Sequence, residues 1–238
     1  MNKHEITNLI EHFAPLEFAE KWDCSGWLVE TGKQDIEKVM LCLTVTDDIV
    51  RQAKEQNCDM IISHHPLFKI NCPSEIVSKS LSPSIDIYCA HTNFDRASGG
   101  TTDTLISTLG LNQFIVSGSG AEFTRYINYE TSIQDFVKKL KLISPHLRFV
   151  NNKNIKKLQK IAFCAGSGTE FIQEAYENGA DALVTGDLKF HTALDSPIVV
   201  FDIGHFESEV ISLPVFERII GNSVEIVYAQ EKSPFICE

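Results

Sequence analysis

Short apolar runs alternate with amphipathic stretches along nearly the whole chain, and that alternation leaves few architectures open. The run KVMLCLTV (38–45) has the length and branched content of a buried strand. TDDIVRQAKEQN (46–57) reads as a helix, with Thr46 or Asp47 as its N-cap and acids in its first turn. DMIIS (59–63) is the next strand. A strand–helix–strand unit of this kind joins parallel neighbours. The pattern repeats through strands at DIYCA (86–90), FTRYINYE (123–130), LRFV (147–150), KIAFCAG (160–166), DALVTG (181–186), PIVVFDIG (197–204) and VEIVYAQ (224–230).

Helices are expected at 3–13, 100–111, 132–141, 169–178 and 189–195, and at 205–221, where Pro214 predicts a kink. The fold class is therefore α/β, with mainly parallel or mixed sheets flanked by helices. The glycine- and serine-rich segment 118–125 marks a boundary. Residues 1–118 with 196–238 are expected to form one α/β domain carrying the functional ligands, and 119–195 a second.

Composition excludes several roles. With 21 basic and 32 acidic residues, the net charge of −11 opposes sequence-independent nucleic-acid binding, which needs basic surface. No apolar run approaches the roughly 20 residues of a membrane helix, and the charged N-terminal stretch lacks a signal-peptide core. The seven cysteines are scattered with no C-x-x-C pair, which fits reduced core thiols in a cytoplasm rather than disulfides or a zinc finger.

The histidines carry the functional signal. His64 and His65 follow strand 59–63, His91 follows 86–90, His191 comes shortly after 181–186, and His205 follows 197–204. In parallel α/β sheets the carboxyl ends of the strands form the ligand-binding rim, so all five are expected at one rim. Asp95 lies four residues after His91, and Glu209 four residues after His205. If 205–209 opens a helix, His205 and Glu209 share a face. Imidazole nitrogen with carboxylate oxygen suits zinc, iron, manganese or nickel, and not calcium. Adjacent histidines diverge, so the pair is expected to reach two ions, with Asp95 bridging them.

Other segments are open to two readings. GSGTE (166–170) is either a phosphate cradle or a plain turn, and it is not a Walker A sequence. TGDLKFH (185–191) groups Asp187, Lys189 and His191 as an acid/base cluster or a charged loop. Trp22 and Trp27 are expected in packing, and Asp103 as an early-helix acid.

Four ordered motifs, ISHHPLF, AHTNFDRASGGTTDTLISTLGL, TGDLKFHTALD and DIGHFESE, resemble those of the NIF-three-like proteins, also called GTP cyclohydrolase 1 type 2 homologs. The resemblance runs from about residue 22 to 209. WDCSGW stands where the family usually has WDN-V-GL, and GGTTD where it has GG-x-ND. The resemblance implies two α/β domains and two divalent ions per chain, held by His64, His65, Asp95, His205 and Glu209. It also implies a homo-oligomer, a ring-shaped hexamer, and a small-molecule, nucleotide-type substrate. The expected chemistry is metal-dependent hydrolysis with an activated water that attacks a purine ring carbon, as in a cyclohydrolase, or a phosphate ester, with His91 or His191 carrying protons. The alternative is a non-catalytic metal-binding, regulatory or scaffold protein with the same ligands.

Overall fold

The computed structural model describes residues 1–66, 85–116 and 122–236. The chain divides into two compact units, Met1–Ala97 with Leu213–Lys232, and Ser98–Ser212 with Ser233–Glu238. Each contains a five-stranded mixed sheet, so the α/β class read from the alternation is the one observed. Cys72 and Cys237 lie outside the described residues, as does the first half (118–121) of the glycine-rich segment where a boundary was expected.

The first unit opens with α1 (Lys3–Phe13), closed by a reciprocal cap between Asn2 and Glu5 and burying Ile6 and Ile10. Its sheet runs β1 (Gly26–Val29), β4 (Asp86–Cys89), β3 (Met60–His65), β2 (Lys38–Thr44), β10 (Glu225–Tyr228) in spatial order. β1 is antiparallel to β4 and the other pairs are parallel. Helix α2 (Asp47–Glu55), capped by Thr46, packs Ile49, Val50 and Ala53 with Met40, Cys42, Ile61 and Ile87. The strand–helix–strand unit is thus where the pattern placed it. β3 continues through both His64 and His65, two residues past the expected end. A short helix not expected from the sequence, α3 (Thr92–Arg96), follows β4.

The second unit begins earlier than residue 119, because α4 (Thr101–Thr108) buries Leu105 and Ile106 in a core with Phe136, Ile161, Phe163, Val184 and Phe201. The sheet order is β5 (Arg125–Ser132), β7 (Lys157–Phe163), β8 (Ala182–Thr185), β9 (Val199–Asp202), β6 (Arg148–Val150). β7, β8 and β9 are parallel, with an antiparallel strand at each edge. Helices α5 (Ile133–Leu140), α6 (Ile172–Glu177) and α7 (Phe190–Asp195) connect them. Asp103 is a structural anchor, because it accepts from Gly99 N–H and pairs with the buried Arg125 guanidinium at 3.1 Å.

The helix expected over 205–221 is divided. α8 (His205–Glu209) is followed by a tight turn at Val210–Ser212 and then by α9 (Leu213–Ile220). Pro214 lies in the first turn of α9, where its missing N–H costs no hydrogen bond. At this break the chain leaves the second unit and returns to the first, so the return begins at Leu213 rather than 196. No helix among the described residues is long and apolar enough to cross a membrane.

Candidate metal centre

The two sheets present two strand-end rims, one per unit. The first unit carries His64, His65, His91 and Asp95, and the second carries His205 and Glu209. The five histidines assigned to one rim are therefore distributed over two, because β8 and β9 belong to a different sheet from β3 and β4.

In the first unit β3 ends on His64 and His65, and its parallel neighbour β4 delivers His91 two residues after its end. The ring centroids lie 5.1 Å apart for His64 and His65, 5.2 Å for His64 and His91, and 5.6 Å for His65 and His91. One ring nitrogen from each of the three falls within 4.8 Å of the others. Asp95, mostly buried on α3, brings Oδ1 to 3.4 Å from His64 Nε2. Phe94 packs its edge on His64 and stacks on Phe216 at 4.5 Å, giving the cluster an apolar back wall. Asn93 fixes α3 by donating to Ala14 O at 2.7 Å.

Each Nδ1 is held from behind. His64 Nδ1 meets Ala90 O at 2.9 Å, His65 Nδ1 meets Thr44 Oγ1 at 2.7 Å, and His91 Nδ1 meets Asp23 Oδ1 at 2.8 Å. Burial would raise the Asp23 pKa, but hydrogen bonds from His91, Thr92 and Ser25 outweigh it and hold the carboxyl well below the usual range. Cys42 and Cys89 are buried thiols pushed well above the ordinary pKa by burial, as neutral core residues are.

In the second unit Gly204, with φ +83°, turns the chain from β9 into α8, which places His205 and Glu209 one turn apart. His205 Nε2 lies 3.0 Å from Glu209 Oε2, and Nδ1 lies 2.8 Å from Asp187 Oδ2. Glu209 is buried, and room for it comes from Gly166. A Cβ at that position would lie 2.0 Å from Glu209 Oε1. The segment GSGTE thus serves as a close-packing turn around the glutamate. The helix after it spans only Ile172–Glu177, too short to act as a phosphate-binding terminus.

Burial lowers the His205 pKa, but Glu209 and Asp187 more than compensate and raise it from 6.5 to about 9. In the metal-free protein these ion pairs stabilise the fold fully below about pH 6.5, and the contribution is lost as pH climbs through about 9. The urea midpoint of metal-free protein is expected to fall across that window, and to lose the fall in His205→Gln. A level midpoint in the parent protein would contradict a protonated His205.

The donor set fits a divalent transition ion. It consists of imidazoles whose Nδ1 atoms are oriented by carboxylate, hydroxyl or carbonyl partners, so that Nε2 is the ligating nitrogen, together with nearby carboxylates. His191 does not join such a set. It is exposed on α7, its ring against Phe190 at 5.4 Å. Asp187 serves His205 rather than an acid/base cluster with Lys189 and His191. Asp23 was not recognisable as a site residue in the sequence, since it lies 68 positions before the histidine it holds. Trp22 is 67% exposed rather than packed, its ring edge-on to His91, while Trp27 packs against Tyr88.

The family model for Duf34/NIF3 (NGG1p interacting factor 3) matches residues 1–234. A Clostridium perfringens protein called "GTP cyclohydrolase 1 type 2 homolog" is 32% identical, over 99% of both chains. Among solved structures, a Staphylococcus aureus hypothetical protein aligns with a TM-score of 0.84 at 23% identity, covering 100% of this chain and 99% of that one. A Bacillus cereus protein related to NIF3 aligns at 0.81 and 21%, with the same coverage. These two likenesses establish the fold.

Proposed function

Because this chain belongs to the Duf34/NIF3 family, we propose that it holds two divalent ions per chain and uses them in hydrolysis of a small, nucleotide-type substrate. His64, His65 and Asp95 are the ligands on the first unit, and His205 and Glu209 those on the second. His91 joins the first group as a third imidazole instead of carrying protons. The observation that supports this most is the common construction of the four histidines, each with Nδ1 engaged by an outer partner. That arrangement fixes tautomer and ring orientation, which a metal ligand needs and a surface histidine does not.

Divalent ions in such a site supply Lewis acidity and lower the pKa of a coordinated water toward neutrality. The protein's own residues hold the ligands in place. Asp23 and Thr44 set the first unit's imidazoles, Phe94 keeps water from their back, and Gly166 lets Glu209 approach His205. Zinc, iron, manganese and nickel all suit the donors. The relatives' name points to a GTP-type substrate. A cytoplasmic homo-oligomer, a hexamer by the family resemblance, completes the reading.

Elemental analysis of purified protein is expected to give close to two ions per chain. Asp95→Ala is expected to reduce it to one or fewer and to remove turnover of nucleotides or phosphoesters. Full occupancy with unchanged turnover in that variant would refute the assignment. A second reading, a metal-binding protein without turnover, is favoured by one observation. The segments that suggested substrate chemistry, GSGTE and TGDLKFH, are occupied in supporting Glu209 and His205. Metal-loaded protein inactive on every nucleotide and phosphoester tested, with two ions bound, would select that reading.

A further inference from the structure

Asp187 is one of three described non-glycine residues with positive φ, at +56°, and the other two are asparagines. A left-handed backbone at a residue with a side chain costs free energy, and it persists where its surroundings over-determine it. The turn between β8 and α7 is held on both sides. Gly186 N–H donates to Gly166 O at 2.7 Å, and Leu188 N–H donates to Asp202 Oδ2 at 3.1 Å. Arg148 Nη2 donates to Leu188 O at 2.8 Å. Gly186 lies so close to the start of α8 that a Cβ there would be 2.8 Å from His205 N. The clamp fixes the backbone of residue 187 beside His205. The carboxylate it carries bonds His205 Nδ1 at 2.8 Å.

We propose that Asp187 is a positioning residue. Its strained turn exists to aim a carboxylate at His205 Nδ1, which fixes the ring so that Nε2 faces the ion shared with Glu209. The inference rests on the metal reading above and deepens it. It assigns TGDLKFH a role in holding a ligand rather than in meeting substrate.

The position allows a test that separates positioning from folding. Glycine adopts positive φ without strain, so Asp187→Gly removes the carboxylate while relieving the backbone. Asparagine also tolerates this conformation and keeps an acceptor at the same place without the charge. Full-length metal-free protein of each form is titrated with cobalt(II), following the visible ligand-field bands and competing with a chromogenic chelator. Asp187→Gly is expected to weaken one of the two ions by about 10- to 100-fold, the usual effect of losing an outer partner, and to alter its band envelope. Its thermal midpoint without metal is expected to stay near that of the parent at a pH above about 9, where the His205 pair no longer contributes, and to fall only by the lost pair, partly offset by the relieved backbone, at lower pH. Asp187→Asn is expected to recover much of the lost affinity, and His205→Ala gives the limit of complete ligand loss.

Parent-like cobalt affinity and bands in Asp187→Gly would overturn the proposal, and so would an asparagine variant no better than glycine. If the parent protein itself takes up no cobalt, the metal reading fails and this inference with it. Binding by the parent that Asp187→Gly leaves unchanged sinks the positioning role alone.

Discussion

Gly166→Ala is expected to abolish tight binding of one ion and to destabilise the second unit. Gly166 has φ +67°, where an alanine side chain is strained, and its added Cβ would lie 2.0 Å from Oε1 and 3.0 Å from Cδ of Glu209. Glu209 is 3% exposed, so it cannot swing into solvent without opening the fold. The turn cannot retreat either. Gly166 N–H donates to Ser208 Oγ at 2.9 Å, and Gly166 O accepts from Gly186 N–H at 2.7 Å. Overpacking of this kind costs about 1–3 kcal/mol, and the left-handed backbone adds about 1–2 kcal/mol. Displacing a ligand should exceed the roughly 10- to 100-fold loss seen for outer partners. Dialysed Gly166→Ala is expected to keep at most one ion per chain, with a lower urea midpoint. Glu209→Asp in the same chain should recover part of the stability and none of the metal. Two tightly held ions in Gly166→Ala would show that Glu209 is not a ligand.

The largest loss of stability is expected in the first unit, at Lys3. Its amine is 1% exposed, donates to Thr31 O at 2.6 Å, and lies 3.7 Å from the fully buried Asp86 and 3.4 Å from Glu30. Removing one partner of a buried pair leaves the other charge uncompensated, at about 3–5 kcal/mol. Lys3→Ala should therefore lower the unfolding free energy by about that amount. Lys3→Met with Asp86→Asn should cost less than Lys3→Met alone, because the uncompensated charge is gone. A loss below about 1 kcal/mol in Lys3→Ala, the range of a solvated surface pair, would disprove this account. Asp86 opens β4, the strand whose far end places Ala90 O behind His64 and delivers His91, so fold stability and ligand placement share one element.

How much of this was legible beforehand follows from which physical signals are local. β2, α2 and β3 were readable because apolar period and capping are written within a dozen residues. His64, His65 and His205 stood out as candidates because histidines following apolar runs are few, and Glu209 because it lies one helical turn after His205. Asp23 was not, since its partnership with His91 is made by folding. Asp187 was grouped with Lys189 and His191 by nearness in the chain, while its bond goes to His205, 18 residues on. The boundary expected at a glycine-rich stretch is instead set by packing, with Leu105 and Ile106 burying against the second sheet's strands. Pro214 signalled a kink, and the structure shows two helices at the point where the chain changes unit.

The first sheet is closed by a strand that comes nearly 200 residues later in the sequence than its partner, as Glu225–Tyr228 pairs with Lys38–Leu41. β10 pairs with β2, and beyond it Glu231 accepts the N–H groups of Leu43 and Thr44, the latter being the residue that holds His65. On the ribosome, β2 emerges long before that strand does, and its outer edge waits while the whole intervening unit is translated. Vectorial synthesis therefore completes the inserted unit first and the enclosing one only after β10 has emerged. Prematurely released chains carry a bare sheet edge, the feature that drives strand-to-strand aggregation.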